Sequence, residues 1–145
     1  MTTTPVTHSG VVVTEEQLAA LVRRFYVAAR KDSLIGPVFE AMIVDWEDHF
    51  AIAQDFWSHM LLGTGRYQGH PLAPHMHMPL EPESFDRWLE LFHAAANESL
   101  PPPAAAQAIG RANHMANAFK IGLFPWKTPD GKMSRHMPKP VDPAK

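Results

Sequence analysis

The sequence predicts an all-helical fold. Apolar residues recur at three- and four-residue spacing in several separate stretches, and capping residues, glycines and prolines punctuate the chain between them. With 145 residues, 46% of them hydrophobic, the chain is long enough for one domain with its own core.

Thr14-Glu15-Glu16-Gln17 has the pattern of a capping box, in which hydroxyl and amide side chains satisfy the first unpaired amides of a helix. Leu18, Leu21, Val22, Phe25, Tyr26 and Ala29 follow at helical spacing, and Asp32-Ser33 ends the run. Leu34 to Phe39 reads as a turn leading into a short helical piece, because Pro37 suits an initial helical position. Asp45 is expected to cap the next helix, which carries Trp46, His49, Phe50, Ala53, Phe56, Trp57 and Met60 and stops at Gly63-Thr64-Gly65. His49 falls on the apolar face of that helix. A connection of 18 residues follows from Gly65 to Pro82, longer than an idle connector in a compact domain needs. Ser84 is expected to cap a helix with Phe85, Trp88, Leu89, Phe92 and Ala95. Pro101-Pro102-Pro103 breaks the chain before a last helix with Ala105, Ile109, Ala112, Ala116 and Phe119. The predicted organisation is a flexible segment over 1–12, a packed domain over 13–124 and a proline-rich disordered tail over 125–145.

Composition removes several function classes. A formal net charge of −2 predicts no electrostatic footprint for nucleic acid. The absence of cysteine excludes disulfides, thiolate metal sites, iron–sulfur ligation and a nucleophilic thiol. No run approaches the roughly 20 apolar residues that cross a bilayer. The first ten residues hold neither a basic start nor an apolar signal core, so a cytoplasmic location with no membrane partner is expected. The Gly63-x-Gly65 and Gly69 pattern has the wrong spacing for a dinucleotide fingerprint, and no P-loop or nucleophile elbow is present.

The chemistry concentrates between His70 and Pro79, where three imidazoles and three prolines interrupt two aromatic-rich helical runs. His70, His75 and His77 are candidate ligands for a bare zinc or copper ion, but no carboxylate cluster stands near in sequence to complete the shell. A haem site explains more of the pattern. Haem iron needs one strong axial donor from the protein and an apolar slot on both faces. One of the loop imidazoles supplies the donor, and the helix carrying His49, Ala53, Phe56 and Trp57 covers the opposite face, small Ala53 leaving room near the iron. The plainer reading makes Tyr26, Trp57 and Trp88 ordinary core and His49 a hydrogen-bonded core histidine. A helical interaction module without cofactor accounts for the stripes but not for the proline-bounded histidine loop.

Taken in order, Phe25-Tyr26, Arg30-x-Asp32, Gly36-Pro37-x-Phe39, Asp45-Trp46-x-x-His49 and Phe56-Trp57 resemble the truncated haemoglobins of group III. So do Leu61-Leu62-Gly63-Thr64-Gly65-x-Tyr67-x-Gly69-x-Pro71, His75, Pro79 and Phe85-x-x-Trp88-Leu89-x-Leu91-Phe92, and the likeness runs from about Thr14 to Phe124. The resemblance implies a globin-like, truncated two-over-two helical sandwich enclosing haem b. It selects His75 as the axial iron ligand, since the family's proximal histidine precedes a segment like Met76-His77-Met78-Pro79. It assigns Tyr26, His49 and Trp88 to the distal, ligand-facing side, and Phe39, Ala53, Phe56, Trp57 and Tyr67 to the haem walls. His70 and His77 are then surface or propionate-side residues. The implied function is binding of O2, NO, CO or similar diatomic ligands, for oxygen transport or gas sensing. The rival is an enzyme using the same pocket, a nitric oxide dioxygenase or peroxidase-like catalyst with an electron-donating reductase as partner.

Overall fold

The computed structural model describes residues 12–134 apart from 77, 79 and 128. The expected flexible segment over 1–12 lies outside these residues except for Val12. Helix α1 (Glu15–Lys31) opens on the predicted capping box: the Gln17 amide donates to Thr14 Oγ1 at 3.1 Å and the Thr14 amide to Gln17 Oε1 at 2.9 Å. Glu15 and Glu16 sit in its first turn and Arg30 and Lys31 in its last, complementing the helix dipole. The helix stops at Asp32, whose carboxylate accepts the Leu34 and Ile35 amides.

Helix α2 (Gly36–Met42) starts hard against the end of α1, and Gly36 is required there. A Cβ at that position would lie 2.7 Å from the Arg30 carbonyl oxygen. Helix α3 (Trp46–Leu62) begins with Asp45 Oδ1 accepting the Asp48 amide and ends at Gly63, whose φ of 66° is left-handed. A four-residue helix, α4 (Leu72–His75), interrupts the long connection.

Helix α5 (Pro82–Ser99) starts earlier than the sequence suggests. Its N-cap is Glu81, and Ser84 lies one turn in, its hydroxyl accepting the Glu81 amide at 3.1 Å. Pro82 displaces the expected start, because a proline costs nothing among first-turn amides that lack partners anyway. Helix α6 (Pro102–Leu123) likewise takes Pro102 and Pro103 into its first turn.

The pair α1 and α3 stacks on the pair α5 and α6, with α1 against α5 and α3 against α6. The alanines at 104, 105, 108, 112 and 116 are buried on α6 and leave room for close helix approach. At the centre Phe92, 2% exposed, stacks between the Trp57 ring at 4.7 Å and the Trp88 ring at 5.2 Å. A second cluster of Phe85, Ala116, Phe119, Leu123 and Phe124 underlies the α4 region, with Leu72 and Leu80 packed on it.

Part of the segment expected as a proline-rich disordered tail lies within the described residues. Trp126–Lys127 (β1) and Met133–Ser134 (β2) pair antiparallel, and Gly131 between them has a φ of 86°. Residues 135–145 lie outside the described set. None of the helices among the described residues is long and apolar enough to cross a membrane.

Candidate functional site

Between the two clusters lies a cleft of about 570 Å3, lined mostly by apolar side chains. That volume falls within the roughly 300–1,000 Å3 of ligand and cofactor pockets. All nine residues expected at the site line this one cleft: Tyr26, Phe39, His49, Ala53, Phe56, Trp57, Tyr67, His75 and Trp88. His70 is exposed and does not line it, while His77 lies outside the described residues. Among the described residues no group of three or more His, Asp or Glu converges to hold a bare metal ion.

His75 closes α4 and faces the cleft from the wall formed by the second cluster. Its Nδ1 lies 2.6 Å from the Pro71 carbonyl oxygen, so this nitrogen carries the proton and donates. The tautomer puts the lone pair on Nε2, the nitrogen needed for a metal bond. The ring packs on Phe119 at 4.9 Å and on Phe85 at 6.4 Å between centroids. Burial lowers the His75 pKa from the ordinary 6.5, with the Pro71 hydrogen bond acting the other way, so the ring is neutral near pH 7.

On the other wall Tyr26 from α1 meets His49 from α3. The Tyr26 hydroxyl is 2.7 Å from His49 Nε2, and the His49 tautomer decides which of the two donates. The Tyr26 ring is 8% exposed and held edge-on by Phe25, Phe39 and Trp46, with centroids 4.9, 5.4 and 5.7 Å away. Burial raises its pKa far above the ordinary phenol, so it stays a neutral donor. Burial lowers the His49 pKa; Asp48 opposes that shift and His75, across the cleft, adds to it. Trp88 also lines the cleft.

A polar clasp ties α1 to α3. The Glu15 carboxylate accepts from Ser58 at 2.7 Å and from Gln54 at 3.1 Å, and Arg66 lies 3.4 Å from it. Ser58, fully buried, also bonds Thr64 at 2.9 Å. The clasp fixes α1 to α3 and to the loop that carries Tyr67, whose ring meets Phe56 edge-on at 5.2 Å.

The residues present fit a haem. The mostly apolar cleft is lined both by His75, with its unprotonated Nε2, and by the neutral Tyr26, His49 and Trp88 side chains. Sequence reasoning did not assign Val38, Met42 and Ile43 around α2, Ile52 on α3, or Phe85, Met115 and Phe119 on the His75 side. Phe85 and Phe119 already stood on apolar stripes, and spacing alone does not separate a cavity wall from packed core.

The family model for bacterial-like globins matches residues 11–121. The chain is 35% identical over 117 residues to group 3 truncated hemoglobin ctb of Campylobacter jejuni, covering 77% of this chain and 92% of that protein. The crystal structure of a group III truncated hemoglobin from Campylobacter jejuni superposes with a TM-score of 0.73 at 34% identity, over 78% of this chain and 93% of that one. The truncated oxygen-avid haemoglobin of Bacillus subtilis gives a TM-score of 0.65 at 26% identity, over 74% and 93% of the two chains.

Proposed function

The chain belongs to the bacterial-like globin family, with group III truncated haemoglobins among its relatives, and on that premise we propose that it binds dioxygen and related diatomic gases at a haem b held by His75. The observation that carries this reading is the pairing of His75, its Nδ1 tied to the Pro71 carbonyl at 2.6 Å, with the Tyr26–His49 hydrogen bond on the facing wall. When bound, the haem would supply an iron able to bind a small diatomic ligand.

The residues divide the remaining work. His75 would hold the group through Nε2, and the Pro71 carbonyl fixes its ring orientation and strengthens it as a donor. Tyr26 is the main hydrogen-bond donor to ligand. With the His49 proton on Nε2, His49 donates to the Tyr26 oxygen, and the Tyr26 hydrogen is then available to the ligand. Hydrogen bonds in such a chain polarise one another, so His49 makes Tyr26 the stronger donor. The Trp88 indole N–H is the second donor. Phe39, Ala53, Phe56, Trp57 and Tyr67 wall the slot and exclude water from it.

Rapid mixing of the reduced, haem-loaded protein with dioxygen and with nitric oxide tests this function. Reversible oxygenation with slow autoxidation is expected. Immediate oxidation, with no oxygenated spectrum at any time, contradicts a gas-binding role. Steady turnover of nitric oxide to nitrate with an electron-donating reductase would identify the enzymatic rival instead.

A further inference from the structure

Tyr26 and His49 come from different helices, and their side chains must be held in register for either to face a ligand. Trp46, the first residue of α3, packs against both, with centroids 5.7 Å from Tyr26 and 6.2 Å from His49. A residue at a helix start is prone to fray, and Trp46 is half-buried. Its outer face is covered by Arg30 of α1, whose guanidinium sits 4.1 Å from the ring centroid. Arg30 Nε also donates to the Glu40 carboxylate of α2 at 2.8 Å. One turn further along α3 the arrangement repeats. Arg23 lies 5.1 Å over Phe50, which itself packs on Tyr26 at 5.7 Å, and Arg23 pairs with both oxygens of Glu47.

We propose that Arg30 and Trp46 form a latch that positions the Tyr26–His49 pair, so that a surface cation outside the cleft sets how firmly the distal donors hold their ligand. Neither Arg30 nor Trp46 lines the cleft, so both act through the residues that do. An exposed ion pair such as Arg30–Glu40 contributes little by itself. The planar guanidinium stacked on the indole supplies the directional part, and the pairing with Glu40 fixes the plane of the stack. Arg30 is a positioning residue in this scheme. Its kinetic consequence rests on the haem reading above, whereas its effect on the Tyr26–His49 bond does not.

The test compares Arg30→Met, Arg30→Lys and Glu40→Gln in the full chain. Stopped-flow release of O2 and of CO is measured on haem-loaded protein, and the 15N resonance of His49 Nε2 on haem-free protein. Arg30→Met is expected to speed O2 release about two- to fivefold, the factor equivalent to one exposed cation–π contact. CO release, which depends little on distal donors, stays unchanged, and the His49 resonance shifts. Arg30→Lys keeps the ion pair but loses the planar stack, so it follows Arg30→Met. Glu40→Gln loses the charge but keeps an oxygen that accepts from Arg30 Nε, so the stack stays oriented and release stays near wild type. Equal acceleration of O2 and CO release overturns the proposal, because it reports general loosening of the pocket. So does an Arg30→Met protein with an unmoved His49 resonance. If the chain takes up no haem, the gas-binding reading fails while a shifted His49 resonance still supports the latch.

Discussion

Replacing Tyr26 by Phe removes one oxygen atom and leaves the packing of the ring intact. The edge-on contacts to Phe25, Phe39 and Trp46 involve the ring alone and survive the change. What is lost is the 2.7 Å bond to His49 and, in the gas-bound protein, the hydrogen bond to ligand. The first is a neutral pair, and half-buried His49 turns to water in its place, so the cost to stability is about 1 kcal/mol. The second bond is made to a ligand that takes up negative charge on binding, and such bonds contribute about 1.5–3 kcal/mol. Since each 1.4 kcal/mol is a factor of about ten, O2 release should accelerate roughly ten- to hundredfold. CO takes up far less charge and its release should change little. Stopped-flow displacement of O2 and of CO from wild-type and Tyr26→Phe protein reads both rates. An O2 release rate within about twofold of wild type, well under the factor one charged hydrogen bond implies, would remove Tyr26 from the role assigned to it.

The other expectations concern the scaffold. Phe92→Ala empties the space between Trp57 and Trp88 and should cost about 3–5 kcal/mol, read as a lower urea midpoint; a loss under about 1 kcal/mol would mean the stack collapses freely. Gly36→Ala places a methyl group 2.7 Å from a backbone oxygen that has no rotamer to escape into, so about 1–3 kcal/mol of stability should disappear. An unchanged midpoint would show that α2 shifts to accept it. Acid should destabilise the haem-free chain through His49 and His75, both lowered from 6.5 by burial. Below that pH the unfolded chain binds more protons than the folded one, so this contribution is complete above 6.5 and is lost as pH falls toward the folded values. Urea midpoints at about pH 7.5 and about pH 5.5 check the sign, and a His49→Gln, His75→Gln double variant should show the smaller difference.

Much of this architecture is legible in the residues, and the exceptions have local causes. Thr14, Asp45 and Gly63 mark helix ends correctly because each acts through its own short-range hydrogen bonds or φ angle. Ser84 misled because a serine three residues after an N-cap makes the same kind of bond as a cap, but in the opposite direction. Helix α4 is a single turn containing Pro74 and has no apolar periodicity to reveal it. The Pro129-Asp130-Gly131 run was a turn signal in plain sight, masked by the proline density around it. At the site, spacing alone reads Tyr26, His49 and Trp88 as core and does not separate His75 from His70 and His77; only the family resemblance assigns the first three to the ligand-facing side and selects His75. The latch of Arg30 on Trp46 left no trace in spacing, because it joins residues of three helices.

Gas binding by this chain depends on His75 holding the iron, and haem titration of wild type, His75→Ala and the exposed-loop control His70→Ala tests that bond most directly, with the reduced protein followed by absorption and resonance Raman spectroscopy. Wild type and His70→Ala should bind one haem with an iron–histidine stretch, and His75→Ala should lose that stretch. A His75→Ala protein that binds haem with the wild-type stretch would contradict the assignment.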